Sequence, residues 1–140
     1  MQLQEGEGGR LVVDAARLPF PVLVGGEGWA SELTLPEARA LCAGVARLEE
    51  QHRALAETLM PEEAITLELE VDLPAAAEGP CPPGEGGSLW LELEGDRQRW
   101  ALRFVLTPGP GSRAVEGSWT PAASRSLAAV LAAEPVLRGL

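Results

Sequence analysis

Two spacings of apolar residues alternate along the chain. From Ile65 to Leu73 every second residue is aliphatic: Ile65, Leu67, Leu69, Val71 and Leu73 are interleaved with Thr66, Glu68, Glu70 and Asp72. Successive side chains of a strand point to opposite faces, so this pattern predicts a strand with one face buried and one in water. Upstream, Ala38, Leu41, Val45, Leu48, His52, Leu55 and Leu59 follow the three-and-four spacing of one helical stripe. Ahead of that stripe, Thr34-Leu-Pro-Glu37 has the form of a capping box, in which the threonine hydroxyl and the glutamate carboxylate each satisfy one orphan amide. A helix is therefore expected from Leu35 to about Met60, where Pro61 limits continuation. Such a stripe packs on a sheet, and the same spacing also suits a seam between two copies.

Short apolar runs at Arg10 to Ala15, Phe20 to Gly25 and Trp29 to Leu33, separated by Pro19 and by Gly25, Gly26 and Gly28, read as strands joined by tight turns. Gln2 to Gln4 adds a candidate strand ahead of them. Leu89, Leu91 and Leu93 alternate with Trp90, Glu92 and Glu94, and a second run extends from Arg97 to Thr107. With Gly95 and Asp96 as a two-residue turn, Glu94 would face Arg97, Glu92 would face Arg99, and Leu91 would face Trp100. Arg113 to Trp119 is read as the last strand. Thr120 and Pro121 then open a second helix with the stripe Ala123, Leu127, Val130 and Leu131, ended by Pro135. Both helix entries place Arg, Leu and an aliphatic residue five, seven and eleven positions after the capping threonine (Arg39, Leu41, Val45; Arg125, Leu127, Leu131), which hints at a duplicated unit. The expected fold is α+β: seven to eight antiparallel strands and two helices, arranged as two similar sheet-then-helix halves in one domain. Pro74 to Gly87 has little to bury and is expected to be a surface loop within it.

Composition narrows the chemistry. The 140 residues carry 11 basic and 21 acidic side chains, a formal net charge of −10. Every basic residue is arginine; lysine, tyrosine and asparagine are absent. Without lysine there is no Schiff base and no Walker-type phosphate loop. The single histidine, His52, rules out zinc sets built from several imidazoles. Two cysteines, Cys42 and Cys81, supply neither a paired metal spacing nor a disulfide framework, which fits a reducing cytoplasm. No apolar run approaches the length of a membrane span, and the start of the chain lacks the pattern of a signal peptide. Strong acidity disfavours polyphosphates and anionic lipid.

Four residues stand out as partner contacts. Trp90 shares a strand face with Glu92, away from the leucines, where it is either an ordinary half-covered surface residue or an anchor for a protein, ahead of a stacking platform for a base. Trp29, Trp100 and Trp119 are expected in the core instead. Arg99 and Arg103 are expected on the Trp90 face, beside Glu68, Glu70, Glu92 and Glu94. A carboxylate cluster can hold a cation or act as a glycosidase pair, but alternating glutamates with interspersed arginines also describe an ordinary solvated face, and no metal or catalytic residue is expected. His52 is either a proton switch at an interface or packing at the core edge. Gly25 to Gly28 does not make a phosphate loop, because an extended run follows where a helix start would be needed.

Gly6-Glu-Gly-Gly-Arg-Leu11, Leu23 to Thr34, Leu59 to Ile65, Leu89 to Gly95 and Glu116-Gly-Ser-Trp119 together resemble the cyanobacterial domain of unknown function 1818 family. Gly9 and Val13 stand where that pattern has aromatics, and 74–87 looks like an insertion. The resemblance implies a cytosolic protein without an established activity and a fold like the single-strand DNA-binding Whirly proteins and positive cofactor four. It carries no functional residues onto this chain. The expected role is a non-catalytic binding or assembly factor for a protein partner, without a cofactor. The alternatives are a single-stranded DNA or RNA regulator suggested by the fold, and association as a homodimer.

Overall fold

The computed structural model describes residues 2–6, 8–73, 87–109 and 113–138. Four strands, β1 (Gln2–Gly6), β2 (Gly9–Val13), β3 (Val22–Gly26) and β4 (Trp29–Leu33), lead into helix α1 (Leu35–Ala56). Four more, β5 (Ile65–Asp72), β6 (Gly87–Gly95), β7 (Trp100–Pro108) and β8 (Val115–Ser118), lead into α2 (Pro121–Ala133). The strands form two antiparallel sheets in chain order, β1-β2-β3-β4 and β5-β6-β7-β8. The sheet-then-helix unit foreseen from the helix entries thus occurs twice. Among the described residues no helix is long and apolar enough to cross a membrane.

Both helices start as their sequences dictate. Thr34 Oγ1 accepts from the Glu37 amide at 3.3 Å and Glu37 Oε1 from the Thr34 amide at 2.8 Å, a closed capping box. Thr120 Oγ1 accepts from the Ala123 amide at 3.2 Å, behind Pro121 in the first helical position. Each cap contributes about 1 kcal/mol. Helix α1 stops at Ala56, short of the expected Met60. There the Thr58 amide and hydroxyl both donate to the Leu55 carbonyl, at 3.0 and 2.9 Å, and tighten the backbone into a turn.

The helices cross over. Helix α1 follows the first sheet but lies on β5 and β6 of the second; α2 follows the second sheet and packs on β7, β1, β2 and α1. The α1 stripe from Ala38 to His52 is buried by this packing and is not free to serve as a seam. Gly44 marks a close approach of α1 to the sheet, since a Cβ there would overlap the Leu91 side chain and touch that of Leu69. The core joins Leu11, Val22, Val24 and Leu33 of the first sheet to Leu89, Leu91, Leu93, Leu102, Phe104 and Leu106 of the second.

The sheets meet at a reciprocal pair of tryptophans. Trp29 Nε1 donates to the Ser118 carbonyl at 3.0 Å, and Trp119 Nε1 to the Gly25 carbonyl at 2.8 Å. The two rings lie 5.1 Å apart, with Phe104 against both at 5.7 and 5.4 Å. Gly117 lies under the Trp29 ring, where any side chain would overlap the indole. Trp100 and Trp119 are buried as expected; Trp29 is half-buried at the rim.

The β6–β7 hairpin departs from its expected register. Leu93 faces Leu102, Glu92 faces Arg103 and Gly95 faces Trp100, so the connection is the four-residue loop 96–99 rather than Gly95-Asp96. The cause is Asp96. Its Oδ1 accepts from the Gln98 and Arg99 amides at 2.8 and 2.7 Å, while its own amide donates to the Arg99 carbonyl at 2.9 Å. This Asx-type closure favours the longer loop. The shift is an even number of residues, so the side chains that stay within the strands keep their expected faces. Of the surface loop expected over 74–87, residues 74–86 lie outside the described residues, and Cys81 with them.

Candidate partner-binding face

The outer face of the second sheet is built by the period-two pattern of its strands. Register places Glu68, Glu92, Arg103 and Ser118 in one row, and Glu70, Trp90, Val105 and Glu116 in the next. Thr66, Glu94 and Ala101 flank them on one side; Asp72, Ser88 and Thr107 on the other. Trp90 and Val105 are half-buried and form the apolar centre, while Glu68, Glu70, Asp72, Glu94 and Glu116 are exposed. Trp90 thus lies mid-sheet between carboxylates, as its position beside Glu92 in the sequence implied.

Among the described residues Arg103 is the cation on this face, and it is engaged. Its guanidinium lies 5.0 Å from the centroid of the Trp90 ring, within cation–π range. It also reaches Glu92 Oε2 at 3.5 Å. Glu92 is thereby balanced, whereas Glu68, directly opposite it on β5, has no ion-pair partner among the described residues. Opposed like charges on neighbouring strands are unfavourable. Among the described residues no group of three or more His, Cys, Asp or Glu is arranged to hold a metal ion.

The other singled-out residues sit elsewhere. Arg99 is off this face, in the 96–99 loop, and lines a shallow cleft with Trp100, Pro121 and Arg125. The expected Glu92–Arg99 pair is replaced by Glu92–Arg103, because the longer loop moves Arg99 beyond the end of the strand. His52 is 5% exposed and unavailable to a partner. Its Nε2 lies 2.8 Å from the Asp96 carbonyl, which can only accept, so Nε2 carries the proton; its ring packs on Trp100 with centroids 6.0 Å apart. The Asp96 carboxyl is held below the ordinary aspartate range by the Arg99 and Gln98 amides. Cys42 is buried with Sγ 3.4 Å from the Leu131 carbonyl, and burial pushes its thiol pKa up, so it behaves as a small hydrophobe.

Sequence reasoning passed over Asp96, Arg125 and Ser124 as structural supports. Arg125 donates to the Gln98 carbonyl at 2.7 Å, fixing the loop from α2. Ser124 Oγ accepts from the Leu102 amide at 2.8 Å and donates to the Trp119 carbonyl at 3.2 Å. The signal for Asp96 was present in Asp-Arg-Gln-Arg, a sequence able to form an Asx turn.

Residues 4–80 and 83–133 match the family described as Domain of unknown function (DUF1818). The chain belongs to that family. Its fold is also similar to that in the crystal structure of a protein with unknown function from the DUF155 family of Prochlorococcus sp. NATL2A, at 31% identity and a TM-score of 0.78. That match covers 95% of this chain and 98% of the other. No curated protein matches the chain.

Proposed function

We propose that this member of the DUF1818 family is a non-catalytic binding module whose outer β5–β8 face takes a basic protein partner. One observation carries the reading: half-buried Trp90 sits mid-face with Glu70 directly across on β5, Glu68 diagonal to it, and Glu94 and Glu116 further out on the same face, while Arg103, the one cation of that face among the described residues, is already held by Trp90 and Glu92. An aromatic centre with a charged rim is the arrangement of an interface hot spot, and complementary charge speeds encounter. The non-catalytic part rests on the missing lysine and the single histidine.

The rival reading is single-stranded nucleic acid, which the Whirly-type resemblance suggests. Trp90 with Arg103 offers a stacking surface for a base. The surrounding carboxylates oppose a phosphate backbone, so charge favours the protein partner. Anisotropy titrations at low salt with a labelled arginine-rich peptide and a labelled oligothymidylate separate the two. Peptide binding that Trp90→Ala weakens about thirtyfold, the loss of about 2 kcal/mol that marks a hot spot, is expected, with no binding of the oligonucleotide. Tighter binding of the oligonucleotide, lost in the same variant, would overturn the proposal.

A further inference from the structure

Strand β5 is an edge, and its backbone is presented in a definite way. The Leu73 amide donates to the Gly87 carbonyl at 3.0 Å, which continues the β5–β6 register by one pair and makes that pair hydrogen-bonded. In an antiparallel ladder hydrogen-bonded pairs alternate, so Ile65, Leu67, Leu69 and Val71 turn their amides and carbonyls toward β6. Thr66, Glu68, Glu70 and Asp72 therefore direct theirs outward, and among the described residues β6 is the only strand paired with β5.

Two side-chain patterns accompany this edge. On the inner face Ile65, Leu67, Leu69 and Val71 stay half-exposed, because α1 covers β5 only in part; their neighbours Leu89, Leu91 and Leu93 on β6 are fully buried. On the outer face Glu68, Glu70 and Asp72 form an exposed acidic row. A second copy of β5 cannot complete this edge, since antiparallel pairing would bring the acidic rows together.

The geometry points to β5 as a docking edge for an extended segment in which aliphatic and basic residues alternate. Such a strand would pair its backbone with the outward groups of Thr66, Glu68, Glu70 and Asp72. Its basic side chains, directly across from Glu68 and Glu70, would neutralise the acidic row, and its aliphatic ones would extend the inner apolar face beside Leu67 and Leu69. Strand addition of this kind takes affinity from the main chain and specificity from alternate side chains. The inference rests on the reading of this sheet as a partner-binding surface and adds the shape of the partner.

The test uses the full chain and three labelled eight-residue peptides: alternating valine and lysine, the same composition with all valines before all lysines, and the alternating order with every second amide N-methylated. The expected result is that the alternating peptide binds at least tenfold more tightly than either of the others. Amide exchange at Thr66, Glu68, Glu70 and Asp72 is expected to slow on binding, while Leu67 and Leu69 are already protected. Peptides that bind equally, in a manner sensitive to Trp90→Ala and with the β5 amides still exchanging, would overturn strand addition and leave the acidic face standing. No binding of any peptide would overturn both. The variant Glu68→Arg/Glu70→Arg, checked for an unchanged circular dichroism spectrum, is expected to lose the alternating peptide; retained affinity counts against the inference.

Discussion

Trp29 and Trp119 make chemically equivalent hydrogen bonds at the junction of the sheets, yet they should differ sharply in worth. Replacing either by phenylalanine removes one indole N–H. Trp119 is 3% exposed and donates to Gly25, itself buried, so water cannot take the place of the lost donor. That loss costs about 1.5 kcal/mol. The smaller ring also leaves a void among Phe104 and Trp29, adding about 1 kcal/mol. Trp29 is half-buried and Ser118 is exposed, so solvent can satisfy the freed carbonyl, and the whole change should cost about 1 kcal/mol. With an unfolding entropy of about 2 cal/mol/K per residue over 140 residues, Trp119→Phe should lower Tm by about 9 °C and Trp29→Phe by about 4 °C. Differential scanning calorimetry, with guanidinium midpoints at unchanged m-value as a second measure, reads both. Equal losses, or a larger one for Trp29→Phe, would show that solvent access does not set the value of these bonds.

The Asp96 carboxyl, held low by the Arg99 and Gln98 amides, contributes stability that is complete above the ordinary aspartate range and lost as pH falls through its depressed value. Urea melts of the wild type and Asp96→Asn, run from about pH 6 to about pH 2, should therefore differ at the upper end and converge in acid. His52→Ala removes the donor to the Asp96 carbonyl and a ring packed on Trp100; it should cost about 3 kcal/mol and shift tryptophan emission to the red as Trp100 gains water, both readable in one fluorescence-monitored melt.

The strands, helix starts and inside–outside pattern were legible because they depend on neighbours in sequence. Thr34 with Glu37, Thr120 with Pro121, and the alternation around Ile65 and Leu89 each determine local structure without help from afar. The acidic face with Trp90 followed from the same alternation. What escaped notice depends on distant contacts. The 96–99 loop is secured by His52 from α1 and Arg125 from α2 as well as by Asp96 itself. The division of eight strands into two sheets, joined through Trp29 and Trp119, rests on contacts 89 and 94 residues apart in sequence. The half-exposure of the β5 leucines follows from that strand's place at a sheet edge, a matter of topology that periodicity does not encode.

The crossed placement of the helices makes each half incomplete without the other. Separated after α1, the first half would leave the apolar stripe of that helix bare and forfeit the α2 cover over β1 and β2; the second would uncover β5 and β6. The first fragment loses its helix cover and the second keeps α2 over β7 alone, too little interior for either to stand by itself, so the molecule should melt in a single transition.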